Sequence, residues 1–151
     1  MRFWAIRIGF TAALAGWMVL IFFLSSLPDE QASRVGPYDA HAIAKLGSMR
    51  GLLAHLFLFG TLASLFQATL WSWTSFTNYS LRLTFTAIVL ATLYGVSDEF
   101  HQSYVAGRNM SPSDMLVNAL GAVAAVAALR LLMKSAIHSY IPSFKLTTSK
   151  A

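Results

Sequence analysis

The sequence predicts an all-α fold, a polytopic membrane protein built as a four-transmembrane-helix bundle. Of 151 residues, 56% are hydrophobic and only 11% are charged, less than half the roughly 25% charge of an ordinary soluble domain. The mean hydropathy is +0.59. The apolar residues gather into four segments, each close to the ~20 residues a helix needs to cross the hydrocarbon core.

The first span is predicted over about 8–27, from Ile8 to Leu24 with Ser25, Ser26 and Leu27 extending it. Its basic start, MRFWAIR, also suits a secretory signal. The apolar run is longer than the roughly 7–15 residues of such a signal, however, and no A-x-A-like site follows, so it is read as a retained span. The second span, 51–73, carries no charge, and His55 and Gln67 are its strongly polar side chains. The third, 79–97, has Arg82 near its start, and the fourth, 115–133, has Arg130 near its end. Both need those guanidinium groups to snorkel to the interface. The spans are expected to form a single domain over 1–151, linked by 28–50 on one side and a short turn around 74–78 on the other. The tail after Lys134 is expected to be partly amphipathic, and Pro142 argues against one continuous helix there.

Charge sets an expected orientation. With four spans, Arg2, Arg7, Arg82, Arg130, Lys134, Lys145 and Lys150 fall on the side of both termini. Arg34, Lys45, Arg50 and Arg108 fall on the other. The positive-inside rule then places both termini in the cytoplasm. Trp4, Trp71, Trp73 and Tyr79 map to the same interface as an aromatic belt. All six acids, Asp29, Glu30, Asp39, Asp98, Glu99 and Asp114, lie on the outer side. The net charge of +5 comes from scattered single residues with no aromatic–basic motif, so no nucleic-acid partner is expected. The absence of cysteine excludes disulfides and thiolate sites.

The outer acids point to one stretch, SDEFHQSYVAGRNMSPSDMLVN, residues 97–118. Ser111-Pro112-Ser113-Asp114 reads as a helix start, with Ser111 as N-cap, Pro112 at the first helical position and Asp114 bonding back to the cap. Asp114, Asn118 and Gly121 share a face at i, i+4, i+7. Gly121, Ala125 and Ala128 continue it with small residues that admit a second helix. If the third helix runs on to Gln102, Tyr94, Asp98, His101 and Val105 share one face and Glu99 and Gln102 another. Gly107 permits a tight turn beside Arg108. The expected result is one cluster at the outer mouth of the bundle: Asp98, Glu99, His101, Gln102, Arg108, Asp114 and Asn118, bordered by the intramembrane His55. Arg108 is expected to pair with at least one of the acids Asp98, Glu99 and Asp114, because charges near hydrocarbon are expensive unless paired or wet. A plain solvated loop, a capping role for Asp114 and interhelical hydrogen bonds for Asn118 and His55 are the structural alternatives. Metal ligation by His55, His101 and a carboxylate is chemically open, but Glu99 and His101 are two residues apart and one helix face cannot present both. No metal and no other cofactor is expected.

These residues resemble the signature of the VanZ-like family of bacterial membrane proteins. The matching positions are Tyr94, Asp98, Glu99, His101, Gln102, Gly107, Arg108, Asp114, Asn118 and Gly121. FFLSSLPDEQAS is similar to the family's segment after the first span, here Ser25, Ser26 and Pro28, and HLFLFG with His55 is similar to its second-span histidine motif. Ala106 stands where a proline is common, and Leu58 and Phe59 where many relatives carry Glu and Tyr. The resemblance implies a multi-span inner-membrane protein with an envelope-related role, the namesake being associated with teicoplanin resistance. The partners it implies are the lipid bilayer and either a glycopeptide antibiotic or a lipid-linked cell-wall precursor. In that reading Arg108 contacts an anionic group while Gln102 and Asn118 orient it. Two other classes stay open. A membrane enzyme would use Glu99 or His101 as its acid/base group, although Ser97 lacks the glycines of a nucleophile elbow. A small-solute transporter would rely on His55, Gln67 and Asn118.

Overall fold

The computed structural model describes residues 2–28, 47–74 and 80–140. Four helices make up the fold: α1 (Arg2–Ser25), α2 (Gly47–Trp73), α3 (Leu81–Gln102) and α4 (Pro112–Tyr140). Each contains an apolar stretch of 22 or 23 residues. At ~1.5 Å per residue such a stretch is about 33 Å long, enough for a hydrocarbon core of about 30 Å. The helices alternate in direction. The start of α1 meets the end of α2, where Arg7 Nε donates to the Ser72 carbonyl at 3.1 Å. The start of α3 meets the later part of α4, where Arg130 Nη1 donates to Thr84 Oγ1 at 3.0 Å.

The packing is that of a membrane protein. Leu81, Phe85 and Leu131 are each more than two-thirds exposed, while Gln67, Ser72, Glu99 and Asn118 have no exposure at all. Water would reverse that arrangement; lipid permits it, because apolar side chains gain nothing by leaving the bilayer. The core includes Leu14, Ile21, Phe59, Leu62, Ala63, Ala91, Ala122 and Val126. Close helix approach comes from small residues. A Cβ added at Gly121 would lie 2.7 Å from the Leu56 carbonyl oxygen, and one at Gly60 3.1 Å from Ala125 Cβ. The small face expected on α4 is therefore its contact with α2, although Ala128 lies beyond the contact and is exposed.

α1 packs on α2 and α3 at the edge of the other three helices. Two polar tips pin it: Trp17 Nε1 donates to the Leu58 carbonyl at 2.9 Å, and the Tyr94 hydroxyl donates to the Met18 carbonyl at 2.7 Å. At its start the Arg7 guanidinium lies 5.3 Å from the Trp4 ring and 5.5 Å from the Trp73 ring. These contacts continue the helix well upstream of the predicted start near Ile8. α3 begins at a Ser80 cap, whose Oγ accepts the Leu83 N–H at 3.4 Å. It runs five residues past the predicted end at Ser97. α4 also extends beyond its predicted span at both ends, over Pro112–Tyr140. Arg130 reaches Thr84 across helices rather than only snorkelling outward. The expectations for Asp29, Glu30, Arg34, Asp39, Lys45, Tyr79 and the tail from 141 onward fall outside the described residues.

Candidate functional site

The site is built at the end of the bundle where α1 and α3 finish and α2 and α4 begin. Thr84, Ala87, Ala91 and Gly95 form the buried stripe of α3, and at helical spacing the same stripe ends in Asp98, Glu99 and Gln102. The first four are small, so neighbouring helices stay close and the last three are enclosed with them. Asp98 is 5%, Glu99 0% and Gln102 3% exposed. Ser103 closes the helix with its N–H on the Glu99 carbonyl at 3.2 Å. A turn follows from Val105 to Arg108, closed by the Arg108 N–H on the Val105 carbonyl at 3.1 Å. Gly107 in that turn has φ 77°, a left-handed value that glycine adopts without strain.

Ser111 is the N-cap of α4 and Pro112 its first residue, as the sequence predicts. The Ser111 Oγ accepts the Asp114 N–H at 3.3 Å. Ser111→Ala is expected to lower stability by about 0.5–2 kcal/mol, seen as a lower melting temperature in detergent, and Ser111→Asp should restore it. An unchanged melt for the alanine variant would contradict the cap. The reciprocal half of the capping box differs from expectation. The Ser111 N–H is bound by Glu99 Oε2, at 3.1 Å, from α3. Glu99 thus takes the capping role foreseen for Asp114, and the Asp114 carboxylate faces inward instead.

Three polar groupings result. In the first, Arg108 Nη2 donates to Gln102 Oε1, and Gln102 Nε2 donates to Asp98 Oδ2 at 2.9 Å. Among the described residues Arg108 makes no direct ion pair; Gln102 relays it to Asp98. In the second, His55 Nδ1 meets Asn118 Oδ1 at 2.9 Å and lies 4.0 Å from Glu99 Oε1. His55, Glu99 and Asp114 each offer a donor atom within 4.8 Å of the others. In the third, His101 Nε2 meets Ser26 Oγ at 3.1 Å, and its ring stacks on Phe22 at 4.5 Å.

The second grouping is chemically incomplete. Glu99 Oε1 and Asn118 Nδ2 are buried without a hydrogen-bond partner. Each such atom costs about 1–3 kcal/mol when left unmet, and most buried polar groups in folded proteins are met. One imidazole, two carboxylates and an amide converge here from α2, α3 and α4. They can bind a cation or a donor-rich ligand, or exchange a proton with one.

A family model described as VanZ/LLP1 matches residues 10–133, from within α1 into α4 and across the whole site. The chain belongs to the VanZ/LLP1 family. Neither a curated protein nor a solved structure matches it.

Within this VanZ/LLP1 chain, the sequence-predicted residues sort by helix face. Asp98, Gln102 and Arg108 form a chain of hydrogen bonds near the loop. Glu99, Asp114, Asn118 and His55 share the interior, with His55 at its centre rather than its border. His101 projects from the flank of α3 toward α1, away from that grouping. Ser26 and Phe22 join the site without being among the residues the sequence predicts for it; the Ser25–Ser26 pair, placed where α1 reaches the polar end, is the sequence signal for them. Gln67 lies 12 positions beyond His55 on α2, about 18 Å along the helix, so it is separate from the cluster.

Proposed function

We propose that this VanZ/LLP1 family member is a bacterial inner-membrane envelope protein whose polar cluster binds the headgroup of an amphiphile: a lipid, a lipid-linked cell-wall precursor or a glycopeptide antibiotic. The observation that carries this reading is the Glu99 Oε1 atom, fully buried, without a hydrogen bond and facing His55 at 4.0 Å. A scaffold that served folding alone would pair that atom. Asp98, Gln102 and Arg108 supply a donor-bearing rim, in which Arg108 can turn from Gln102 to an anionic group. Asn118 and His55 line the interior, and Asp114 completes it. His101 ties α1 to the rim through Ser26.

The seven-to-four bias of Lys and Arg supports a topology with both termini cytoplasmic and the cluster outward. A periplasm-dependent reporter fused after Ala151 should stay silent; a strong signal would overturn the orientation. The functional test uses cells that produce the chain. Glu99→Gln and His55→Asn should preserve expression and melting temperature yet remove any protection against teicoplanin. If both variants protect as well as the wild type, the cluster is not the site.

A second reading draws on the same approach of His55 to Glu99. The chain would act on a lipid-linked envelope substrate by acid/base chemistry, with Glu99 as the proton-transfer group. His101 is less suited, since it faces Ser26 and Phe22. A Glu99→Gln variant that binds the substrate but no longer turns it over would favour this reading.

A further inference from the structure

The interior grouping also has the composition of a metal site, with one imidazole and two carboxylates supplied by three different helices. We propose that His55, Glu99 and Asp114 together hold one divalent transition-metal ion of the Zn2+ class. This inference rests on the reading of the cluster as a ligand site and names what a ligand would meet there.

Three observations support it. The donor atoms already lie within 4.8 Å of one another. Metal–ligand bonds of about 2.0–2.2 Å would bring them to roughly 3–3.5 Å, a closure of about 1.5 Å or slightly more at most. Asp114, partly exposed on the first turn of α4, already turns its carboxylate toward the other two donors.

The second observation is the hydrogen bonding of Glu99. Glu99 is fully buried, its Oε2 is fixed by the Ser111 N–H at 3.1 Å, and its Oε1 has no hydrogen bond and points toward His55. A carboxylate held by one oxygen and offering the other is a prepared monodentate ligand.

The third is charge. Asn118 Oδ1 meets His55 Nδ1 at 2.9 Å, the same nitrogen that faces Glu99 Oε1, so an ion taken up by Nδ1 would displace Asn118 from it. Arg108 is engaged with Gln102 and does not neutralise the acids. Two carboxylates balance a divalent ion. The imidazole selects a transition metal over Ca2+ or Mg2+, which favour all-oxygen sites. Three protein ligands leave a coordination position open, the arrangement of metal sites that bind a further molecule.

The test uses the full chain in mild detergent, stripped with a chelator and titrated with Zn2+ against a chromophoric competitor. One Zn2+ per chain is expected, unaffected by millimolar Mg2+. Glu99→Gln and Asp114→Asn should each weaken it by about tenfold or more, with melting curves confirming that both variants fold. His138→Asn, near the far end of α4, should bind as the wild type. A direct readout covers variants that fold poorly. The chain has no cysteine, so Asp114→Cys loaded with Co2+ should show a thiolate-to-metal charge-transfer band reporting position 114 alone. Absence of saturable Zn2+ binding by the wild type, unchanged affinity in folded Glu99→Gln and Asp114→Asn, or absence of the charge-transfer band would each overturn the assignment. The amphiphile reading is decided separately, by ligand retention, and would survive that result.

Discussion

Gly121→Leu is expected to force α2 and α4 apart and to disable the site without touching any of its polar residues. A Cβ at position 121 would lie 2.7 Å from the Leu56 carbonyl oxygen and 2.9 Å from its Cα. Both are backbone atoms of a helix, so no side chain can give way and the helices themselves must move. Overpacking typically destabilises by about 1–3 kcal/mol, and leucine adds bulk well beyond the clashing Cβ. Asn118 sits one turn away on the same face, and its 2.9 Å contact with His55 crosses the same helix pair. A displacement of about an ångström would break it. The variant should melt well below the wild type in detergent. Gly16→Ala, where a new Cβ meets nothing within 4 Å, should melt at or slightly above the wild type. Equal melting of Gly121→Leu and wild type would show that the close crossing is not what holds α2 to α4.

That crossing was legible in the sequence because small residues at helical spacing are a local pattern, and so was the Ser111–Pro112 start of α4. The four spans followed from hydropathy alone. Their ends did not, for a physical reason. A helix stops where its backbone groups find other partners, not where its side chains turn polar. α3 therefore continues through Asp98, Glu99 and Gln102 to the Ser103 cap, although hydropathy falls off at Ser97. The membership of the site was mostly readable, because polar residues enclosed in an apolar chain stand out. Their pairing was not. The exchange of Glu99 for Asp114 at the Ser111 N–H, and the relay of Arg108 through Gln102 rather than directly to an acid, depend on how α3 meets α4 in space. His101 illustrates the same limit. A rotation of about 100° per residue separates it from Gln102, and only the position of α1 decides that it meets Ser26.

Glu99 carries the second large effect, and its two substitutions should behave differently. Glu99→Ala removes the acceptor for the Ser111 N–H and empties a fully buried volume between α3 and α4. Losing the hydrogen bond leaves a donor unmet, at about 1–3 kcal/mol, and the cavity adds to this. The expected result is a strongly lowered melting temperature and poor expression. Glu99→Gln keeps the shape and an oxygen for Ser111, so it should melt near the wild type. If alanine is tolerated as well as glutamine, Glu99 is not the link between α3 and α4.

Glu99→Gln thereby separates binding from folding, and it permits the most direct test of the proposal that the cluster is a ligand site. The wild type and Glu99→Gln are purified side by side from bacterial membranes in mild detergent, and the molecules carried with each are identified by native mass spectrometry. The account predicts a specific envelope amphiphile retained by the wild type in stoichiometric amount and lost from the equally stable Glu99→Gln protein. Identical lipid profiles for the two proteins, at equal stability, would contradict it and leave the cluster as a folding scaffold.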